Sequence, residues 1–220
     1  MSTVEKKEKL KKYPKYIKAT ATPSKIKENV DIEKRESLEL CFTERSGFEG
    51  KVTCILMNPS KATGDGSDKT IDKLIDFVEE KLPTINQLVI VNLFSVYKTN
   101  SKELYKLLEE VKEKLNKDEF DELIDSNIDQ IKDHISSSEY VICGWGDAPD
   151  GFPKEEYRKA INKIHDILYE TKSQVYVFET SWLSILTNDS QPRHPIRNKL
   201  NSLKACIINQ TKKKKYIKVT

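Results

Sequence analysis

Short apolar runs alternate along this chain with segments whose apolar residues recur at helical spacing. Continuous apolar runs of this length are typical of strands buried on both faces. Four are present: VTCILM near residue 55, QLVIVNLF near 90, EYVICGWG near 143 and QVYVFE near 177. Between them, apolar residues form one stripe over 68–82, 104–115, 120–135 and 154–171, which predicts four amphipathic helices. Ser101 is the predicted cap of the second helix.

The flanking segments add strands at both ends of this alternation. SLELCF is predicted to form a hairpin with the first buried strand over residues 37–57, turning through Gly47 and Gly50. KACIINQ and KYIKV predict a terminal hairpin, and SWLSIL predicts a short helix after the fourth buried strand. The order predicts one α/β domain over 31–220, a three-layer sandwich with a mostly parallel central sheet. A basic, partly flexible segment is expected over 1–30.

Composition narrows the class of protein. No apolar run approaches the roughly 20 residues of a membrane span, and the N-terminus lacks the apolar core of a signal peptide. A cytoplasmic protein is expected. The cysteines Cys41, Cys54, Cys143 and Cys206 lie far apart, without CxxC or Cys/His metal spacing. We expect all four to be small buried side chains, and we expect no metal or cofactor.

The net charge of +3 is unevenly distributed. Residues 1–27 contain nine lysines and two glutamates, and residues 193–220 contain nine lysines or arginines and no acid. Basic ends on an acidic body predict a polyanion partner such as DNA, because Lys and Arg replace condensed counterions on a phosphate backbone. The alternative is that these residues only keep the chain soluble.

Polar residues and glycines gather where the buried strands end. Asn58-Pro59-Ser60 follows the first strand, Asn92-Leu93-Phe94 the second, and Gly144-Trp145-Gly146-Asp147 the third, with QPRHPIR after the fourth. Four of the seven glycines, Gly64, Gly66, Gly144 and Gly146, fall in these loops. Ligands of α/β sheets bind beyond the carboxyl ends of the strands, so this edge is the predicted site.

Each candidate residue also has a purely structural explanation. Asn58 can cap a turn, Asp68 can cap the following helix, and Asp65 and Asp147 can be solvated loop charges. Phe94 and Trp145 can belong to the core. Asn92 ends an apolar run, where a buried amide needs partners, and this favours a functional role.

His194 is the most informative of the three histidines. Arg193 and Arg197 lie close to it in sequence, and two cations should lower its pKa and keep the ring neutral near pH 7. A neutral imidazole can donate one N–H to a developing anion. An ordinary loop histidine is the alternative, whereas His134 and His165 are expected to be structural.

The strand-end motifs LMNPSKATGDGSDKT, VNLFSVYKTN, CGWGDAP and RHPIR resemble the uncharacterised bacterial family of unknown function numbered 1643, over roughly residues 37–200. In the same order they are similar to motifs of the uracil-DNA glycosylase superfamily. The chain departs from that superfamily at Leu56-Met57, where glycine is usual, and at Ile196, where Ser or Ala usually follows the His-Pro.

The second resemblance implies a role for each motif. Asn58 would hold the attacking water, Asn92 would read the base edge, Trp145-Gly146 would match the third-strand motif, and His194 would stabilise the departing base. A base in DNA must leave the stack first, and Phe94 or Trp145 would then stack on it. Asp68 would orient or deprotonate the water. Ser60, Lys61, Arg193 and Arg197 would bind the DNA backbone.

These observations predict a monomeric DNA glycosylase-like hydrolase that acts on a modified or mismatched base, in DNA repair or in defence against phage. A nucleotide- or nucleobase-binding module without glycosylase activity is the alternative, and an interaction protein with a vestigial pocket is a third. A phosphate-binding P-loop is excluded, because TGDGSDKT lacks the Gly-Lys-Ser/Thr ending.

Overall fold

The computed structural model describes residues 10–21, 23–98, 100–181, 184–211 and 214–220. These residues form ten strands and four α-helices. The strands are β1 Ile17–Thr20, β2 Ser24–Lys27, β3 Val30–Lys34, β4 Ser37–Phe42, β5 Gly50–Leu56, β6 Ile85–Asn92, β7 Tyr140–Cys143, β8 Val175–Thr180, β9 Leu200–Gln210 and β10 Lys215–Val219. The helices are α1 Lys69–Lys81, α2 Leu104–Lys114, α3 Lys117–Ser136 and α4 Lys154–Thr171.

Eight strands form one mixed sheet in the order β1-β4-β6-β5-β7-β8-β9-β10. The four central strands, β6, β5, β7 and β8, are parallel to one another. The outer pairings β1–β4, β4–β6, β8–β9 and β9–β10 are antiparallel and outnumber the three parallel ones. The chain is therefore α/β, but the prediction of a mostly parallel sheet is wrong. At each edge of the sheet, the two outer strands each pair antiparallel with the neighbour on their inner side.

The predicted hairpin between β4 and β5 is also wrong. Strand β6 lies between them, antiparallel to β4 and parallel to β5. The β4–β5 connection includes a 3-10 turn, Thr43–Arg45, and the Arg45 guanidinium donates to the carbonyls of Leu82 at 3.0 Å and Ile85 at 2.9 Å. This arginine holds the connection against the start of β6, the strand that the chain crosses before β5 begins.

The terminal hairpin is confirmed, since β9 and β10 pair antiparallel with Lys215 opposite Gln210. Sequence patterning missed β1 and the β2–β3 hairpin. In β3 only Val30 and Ile32 are buried, and they alternate with Asp31 and Glu33. Two apolar residues in a charged segment are too weak a signal for a strand. The first nine residues of the segment predicted to be flexible lie outside the described ranges.

Helices cover both faces of the sheet. Helix α1 packs Ile71, Leu74 and Val78 against one face, which β5 supplies with Val52 and Cys54. Helices α2, α3 and α4 pack against the opposite face. Helices α1 and α4 lie where the periodicity predicts them. Helix α2 follows a 3-10 turn capped by Asn100, so the predicted Ser101 cap is wrong.

Three smaller predictions also have outcomes here. Cys54, Cys143 and Cys206 are buried and free, but Cys41 is exposed, so the expectation for that cysteine is wrong. Of the predicted SWLSIL helix, Trp182 and Leu183 lie outside the described residues, and residues 184–187 are not helical. None of the described helices has the length and apolarity that crossing a membrane requires.

Candidate functional site

A cavity of about 830 Å³ lies beyond the carboxyl ends of β5 and β7. Its wall includes residues of the Asn58 corner, defined as residues 58–62, and of the His194 corner, defined as residues 192–198. The predicted residues that line it are Asn58, Ser60, Lys61, Asp68, Trp145, Arg193, His194 and Arg197. The structure therefore brings together eight of the ten residues singled out from the sequence.

The amide of Asn58 is held in one orientation. Its Nδ2 donates to the carbonyl oxygen of Pro59 at 3.2 Å and to that of Lys98. Among the described residues, none donates to its Oδ1. Because the nitrogen is occupied, Oδ1 is the atom that can accept a hydrogen bond from a water or a ligand in the cavity.

Asp68 is the N-cap of α1. Its Oδ1 accepts from the backbone N–H groups of Thr70 at 2.9 Å and Ile71 at 3.1 Å, and its Oδ2 accepts from Ala62 N at 3.3 Å. These contacts begin the helix and tie it to the Asn58 corner. The structural explanation of Asp68 therefore accounts for both carboxylate oxygens.

His194 presents a neutral ring with a defined proton position. Its Nδ1 accepts from the backbone N–H of Ile196 at 3.3 Å, so the ring proton lies on Nε2. Burial, together with the positive charges of Arg197 and Lys73, lowers its pKa to about 4, although Asp68 opposes this. At neutral pH, Nε2–H is a donor for which the described residues provide no acceptor.

Two glycines at the end of β7 allow the His194 corner to approach closely. A Cβ on Gly144 would lie 3.3 Å from Pro195 Cδ and 3.2 Å from Leu56 Cδ2. Gly146 has a φ of +77° and donates its N–H to the carbonyl of Pro192 at 2.9 Å. A side chain at Gly144 would crowd this corner, whereas one at Gly146 would strain a backbone conformation that favours glycine.

Trp145 borders the cavity, but its side chain is fully buried. The indole N–H donates to Gln191 Oε1 at 2.9 Å, and the ring lies 5.9 Å from that of His165. The Tyr157 hydroxyl donates to the carbonyl oxygens of Trp145 at 3.2 Å and Gly146 at 3.1 Å. Trp145 thus supports the loop, and its ring does not present an open stacking face.

Asn92 and Phe94 do not line the cavity, in contrast to their predicted roles in base binding. Phe94 packs on Phe152 with ring centroids 5.3 Å apart, inside the core. Asn92 is 1% exposed, and neither polar atom of its side chain has a partner among the described residues. Backbone pairing continues past β6, with Leu93 N donating to Leu56 O, so the chain does not turn towards the cavity.

The cavity rim carries charges of both signs. The predicted cations Lys61, Arg193 and Arg197 are joined by three lysines that the sequence analysis did not single out, Lys11, Lys69 and Lys102. Arg193 Nε donates to Ser184 O at 2.7 Å, and Lys102 forms an ion pair with Asp150 at 2.8 Å. Lys11 reaches this rim because the N-terminal segment pairs with Ser67, a long-range contact that has no local sequence signal.

The basic C-terminal run is divided between two ends of the molecule. Strand β9 begins opposite Thr180, beside the cavity, is eleven residues long, and pairs antiparallel with β8 as far as Cys206. At about 3.4 Å per residue, its far end lies roughly 30 Å away. Lys215 is at that far end, where it pairs with Asp166 at 2.6 Å. Lys215 therefore lies too far from the cavity to contribute to it.

Two cations support the site from outside the predicted set. Arg35 is 1% exposed, and its Nη1 donates to Ala62 O at 2.5 Å, in the Asn58 corner, while its guanidinium lies 5.4 Å from the Tyr97 ring centroid. Lys73 of α1 donates to carbonyls of the His194 corner. Neither role has a local sequence signal, because each depends on a contact between distant segments.

These features define an α/β protein with a mixed eight-stranded sheet and a polar cavity at the ends of its parallel strands. The chain belongs to the family DUF1643, described as a protein of unknown function, which matches residues 43–196. The resemblance to that family is thereby confirmed, and the matched range contains both corners of the cavity up to Ile196. No curated protein and no solved structure matches the chain.

Proposed function

We propose that the cavity binds a nucleotide unit of DNA and that the protein hydrolyses the N-glycosidic bond of a modified or mismatched base. The observation that carries this proposal is that two complementary groups line the same cavity. His194 offers an Nε2–H from a neutral ring, and Asn58 offers an Oδ1 with its amide orientation fixed.

The chemistry requires charge stabilisation at two places. As the bond between C1′ and the base nitrogen breaks, its electron pair moves to the base and the sugar gains oxocarbenium character. His194 Nε2–H donates to the base as it becomes anionic, and a neutral donor needs no proton transfer to do so. Asn58 Oδ1 accepts from the water whose oxygen bonds to C1′, and that water loses a proton to solvent.

The rim and the size of the cavity suit a nucleotide. A volume of about 830 Å³ lies within the range of about 300–1,000 Å³ typical of small-ligand sites. Lys61 and Arg197 on the rim would contact phosphate oxygens, which position the DNA without reading its sequence. The affinity for DNA should then fall as the salt concentration rises.

The direct test is incubation with duplex and single-stranded DNAs that carry uracil, mismatched and modified bases, followed by alkali to cleave abasic sites. We expect cleavage of at least one substrate by the wild-type protein and loss of that cleavage in Asn58→Ala and His194→Ala. The matched control is Asn209→Ala, an asparagine in β9 whose Nδ2 donates to Tyr216 and which lies away from the cavity. Absence of alkali-sensitive product on every substrate would refute the hydrolase.

A nucleotide-binding module without glycosylase activity is the second candidate. It is favoured by the contacts of Asp68, whose carboxylate is engaged by backbone N–H groups, and by the burial of Asn92 and Phe94 away from the cavity. Titration calorimetry separates the two. Salt-sensitive binding of duplex DNA favours the hydrolase, whereas tight binding of a mononucleotide with no affinity for DNA favours the module.

A further inference from the structure

Lys73 joins helix α1 to the His194 corner. Its Nζ donates to the carbonyl oxygens of Pro195 at 3.2 Å, Ile196 at 2.9 Å and Asn198 at 2.7 Å. An ammonium has three N–H donors, so all three are used on one loop. Among the residues that the structure describes, no carboxylate forms an ion pair with Lys73. The Lys73 ammonium therefore interacts, among the described residues, with backbone carbonyl oxygens of the His194 corner.

These contacts act on a short segment of the His194 corner. The 3-10 turn Pro195–Arg197 is only three residues long, and within it Ile196 and Arg197 are exposed. Charge-assisted hydrogen bonds are stronger than neutral ones. Three of them on neighbouring carbonyls restrict the backbone on which the His194 ring depends, since Ile196 N is also the donor to His194 Nδ1.

The same helix also holds the opposite wall of the cavity. Asp68, five residues before Lys73, accepts from Ala62 N in the Asn58 corner. Five residues of α-helix span about 7.5 Å. One short stretch of helix thus contacts both corners, one through a carboxylate and the other through an ammonium, and its rigidity sets their separation.

We propose that Lys73 is a positioning residue, which holds His194 at the distance from Asn58 that the reaction requires. This inference rests on the proposed function, because only catalysis by His194 and Asn58 requires a fixed distance between them. Lys73 acts through the carbonyls of residues 195, 196 and 198 and does not touch the reacting atoms.

The test compares Lys73→Met, Lys73→Gln and Lys73→Arg with Lys81→Met, a control at the other end of α1, where the lysine pairs with Glu80 at 2.7 Å. The readout is the pH titration of the His194 ring by NMR, assigned with His194→Ala. Loss of the Lys73 charge removes one of the causes that lower the pKa of His194. We expect an upward shift and altered ring resonances in Lys73→Met and Lys73→Gln, near-wild-type behaviour in Lys73→Arg, and no change in Lys81→Met.

An unchanged His194 titration in a folded Lys73→Met or Lys73→Gln would overturn the inference. If the Met variant does not fold, the Gln variant carries the same expectation, because its amide can donate at most two hydrogen bonds and has no charge. A merely structural role for Lys73 would lower the thermal midpoint and shift the pKa of His194 only through the lost charge, and it would leave the ring resonances of the neutral His194 at pH 7 unchanged.

The activity measurement distinguishes this inference from the proposed function. On a DNA that the wild-type protein cleaves, Lys73→Met should lower kcat by up to about a hundredfold while KM changes little, because misplacement of a catalytic group affects the transition state most. Lys73→Arg should recover most of that loss. If no DNA is cleaved, the proposed function fails, and the NMR result still decides whether Lys73 positions His194.

Discussion

Asn58 and Asn92 lie near the ends of neighbouring parallel strands, yet only one reaches the cavity. Leu56 of β5 is opposite Asn92 of β6 in the sheet. Two residues after Leu56, the chain leaves the sheet at Asn58-Pro59 and forms the cavity wall. The chain after Asn92 instead continues along its neighbour, and Asn92 is 1% exposed.

The difference shows that a polar strand end is not sufficient for a site. Asn58 has one amide atom fixed by Pro59 and Lys98 and the other available, which is the arrangement a binding group needs. Asn92 has both amide atoms buried without a described partner, although the Nδ2 of Asn127 donates to its backbone carbonyl at 3.1 Å. The two asparagines should therefore respond to substitution in opposite ways.

The largest expected effect is on base release. On any DNA that the protein cleaves, His194→Ala should lower kcat by about 10²–10³, the usual consequence of removing one donor to a developing anion. Asn92→Leu should change it by less than about threefold, since Asn92 does not line the cavity. Single-turnover kinetics with alkali cleavage measures both. A loss in Asn92→Leu as large as that in His194→Ala would show that Asn92 reaches the substrate.

The next effect is the dependence of stability on pH. Burial lowers the pKa values of His165 and His194 to about 4, below the unfolded value of about 6.5. The unfolded chain therefore takes up protons first as the pH falls, so stability is complete above pH 6.5 and declines towards pH 4. His165 is 5% exposed, and its protonation in the unfolded chain should lower the free energy of unfolding by about 2 kcal/mol as the pH falls from 6.5 to 5.

Urea unfolding at several pH values measures this dependence. His165→Gln should remove the part of the pH dependence of the unfolding free energy that comes from this buried histidine. A ligand that fills the cavity should alter the contribution of His194 to this pH dependence and leave the contribution of His165 unchanged. An identical pH dependence in wild type and His165→Gln would contradict the assignment.

A smaller effect is expected when the buried amide of Asn92 is removed. Asn92→Leu replaces an amide that lacks described partners with an apolar side chain of similar size, and it should raise the free energy of unfolding by about 1 kcal/mol. Asn58→Leu should instead lower it, because the carbonyl of Lys98 loses its donor. Urea midpoints for the two variants test this, and a destabilised Asn92→Leu would indicate a hidden partner for the amide.

The smallest effect concerns Asp68, which contacts the Asn58 corner. Asp68→Ala should lower stability by about 1 kcal/mol through loss of the N-cap, whereas Asp68→Ser should cost less because serine also caps helices. Thermal unfolding compares the two variants. If Asp68→Ser keeps full stability but loses base release, the carboxylate acts on the water as the sequence predicted, and its capping contacts are secondary.

Local sequence patterns correctly predicted several helices and strands of this fold. Helices α1 and α4 could be located because their apolar residues repeat every 3.6 residues. Capping of α1 was also one of the two roles that the sequence predicted for Asp68. The four buried strands and the terminal hairpin were equally clear. Among candidate site residues, Asn58, His194 and the rim cations lie together because the ends of parallel strands share one edge.

Strand order and burial at the strand ends could not be obtained in this way. Periodicity describes which face of a segment is apolar, but not which other segment covers it. Nothing in the sequence near β4 indicates that β6 inserts beside it, and nothing near Asn92 indicates that Leu93 and Phe94 continue to pair with β5. Lys73 and Arg35 support the two corners through contacts that span 122 and 27 residues of chain.

The sequence by itself determined the helices, the buried strands and the chemical character of the strand-end loops, because these depend on interactions between near neighbours in the chain. Only the tertiary structure decided that Asn58 faces a cavity while Asn92 is buried, and that the C-terminal lysines at the start of β10 lie far from the site. Those outcomes depend on the pairing of distant strands, whose free energy comes from hydrogen bonds and burial that no single segment contains.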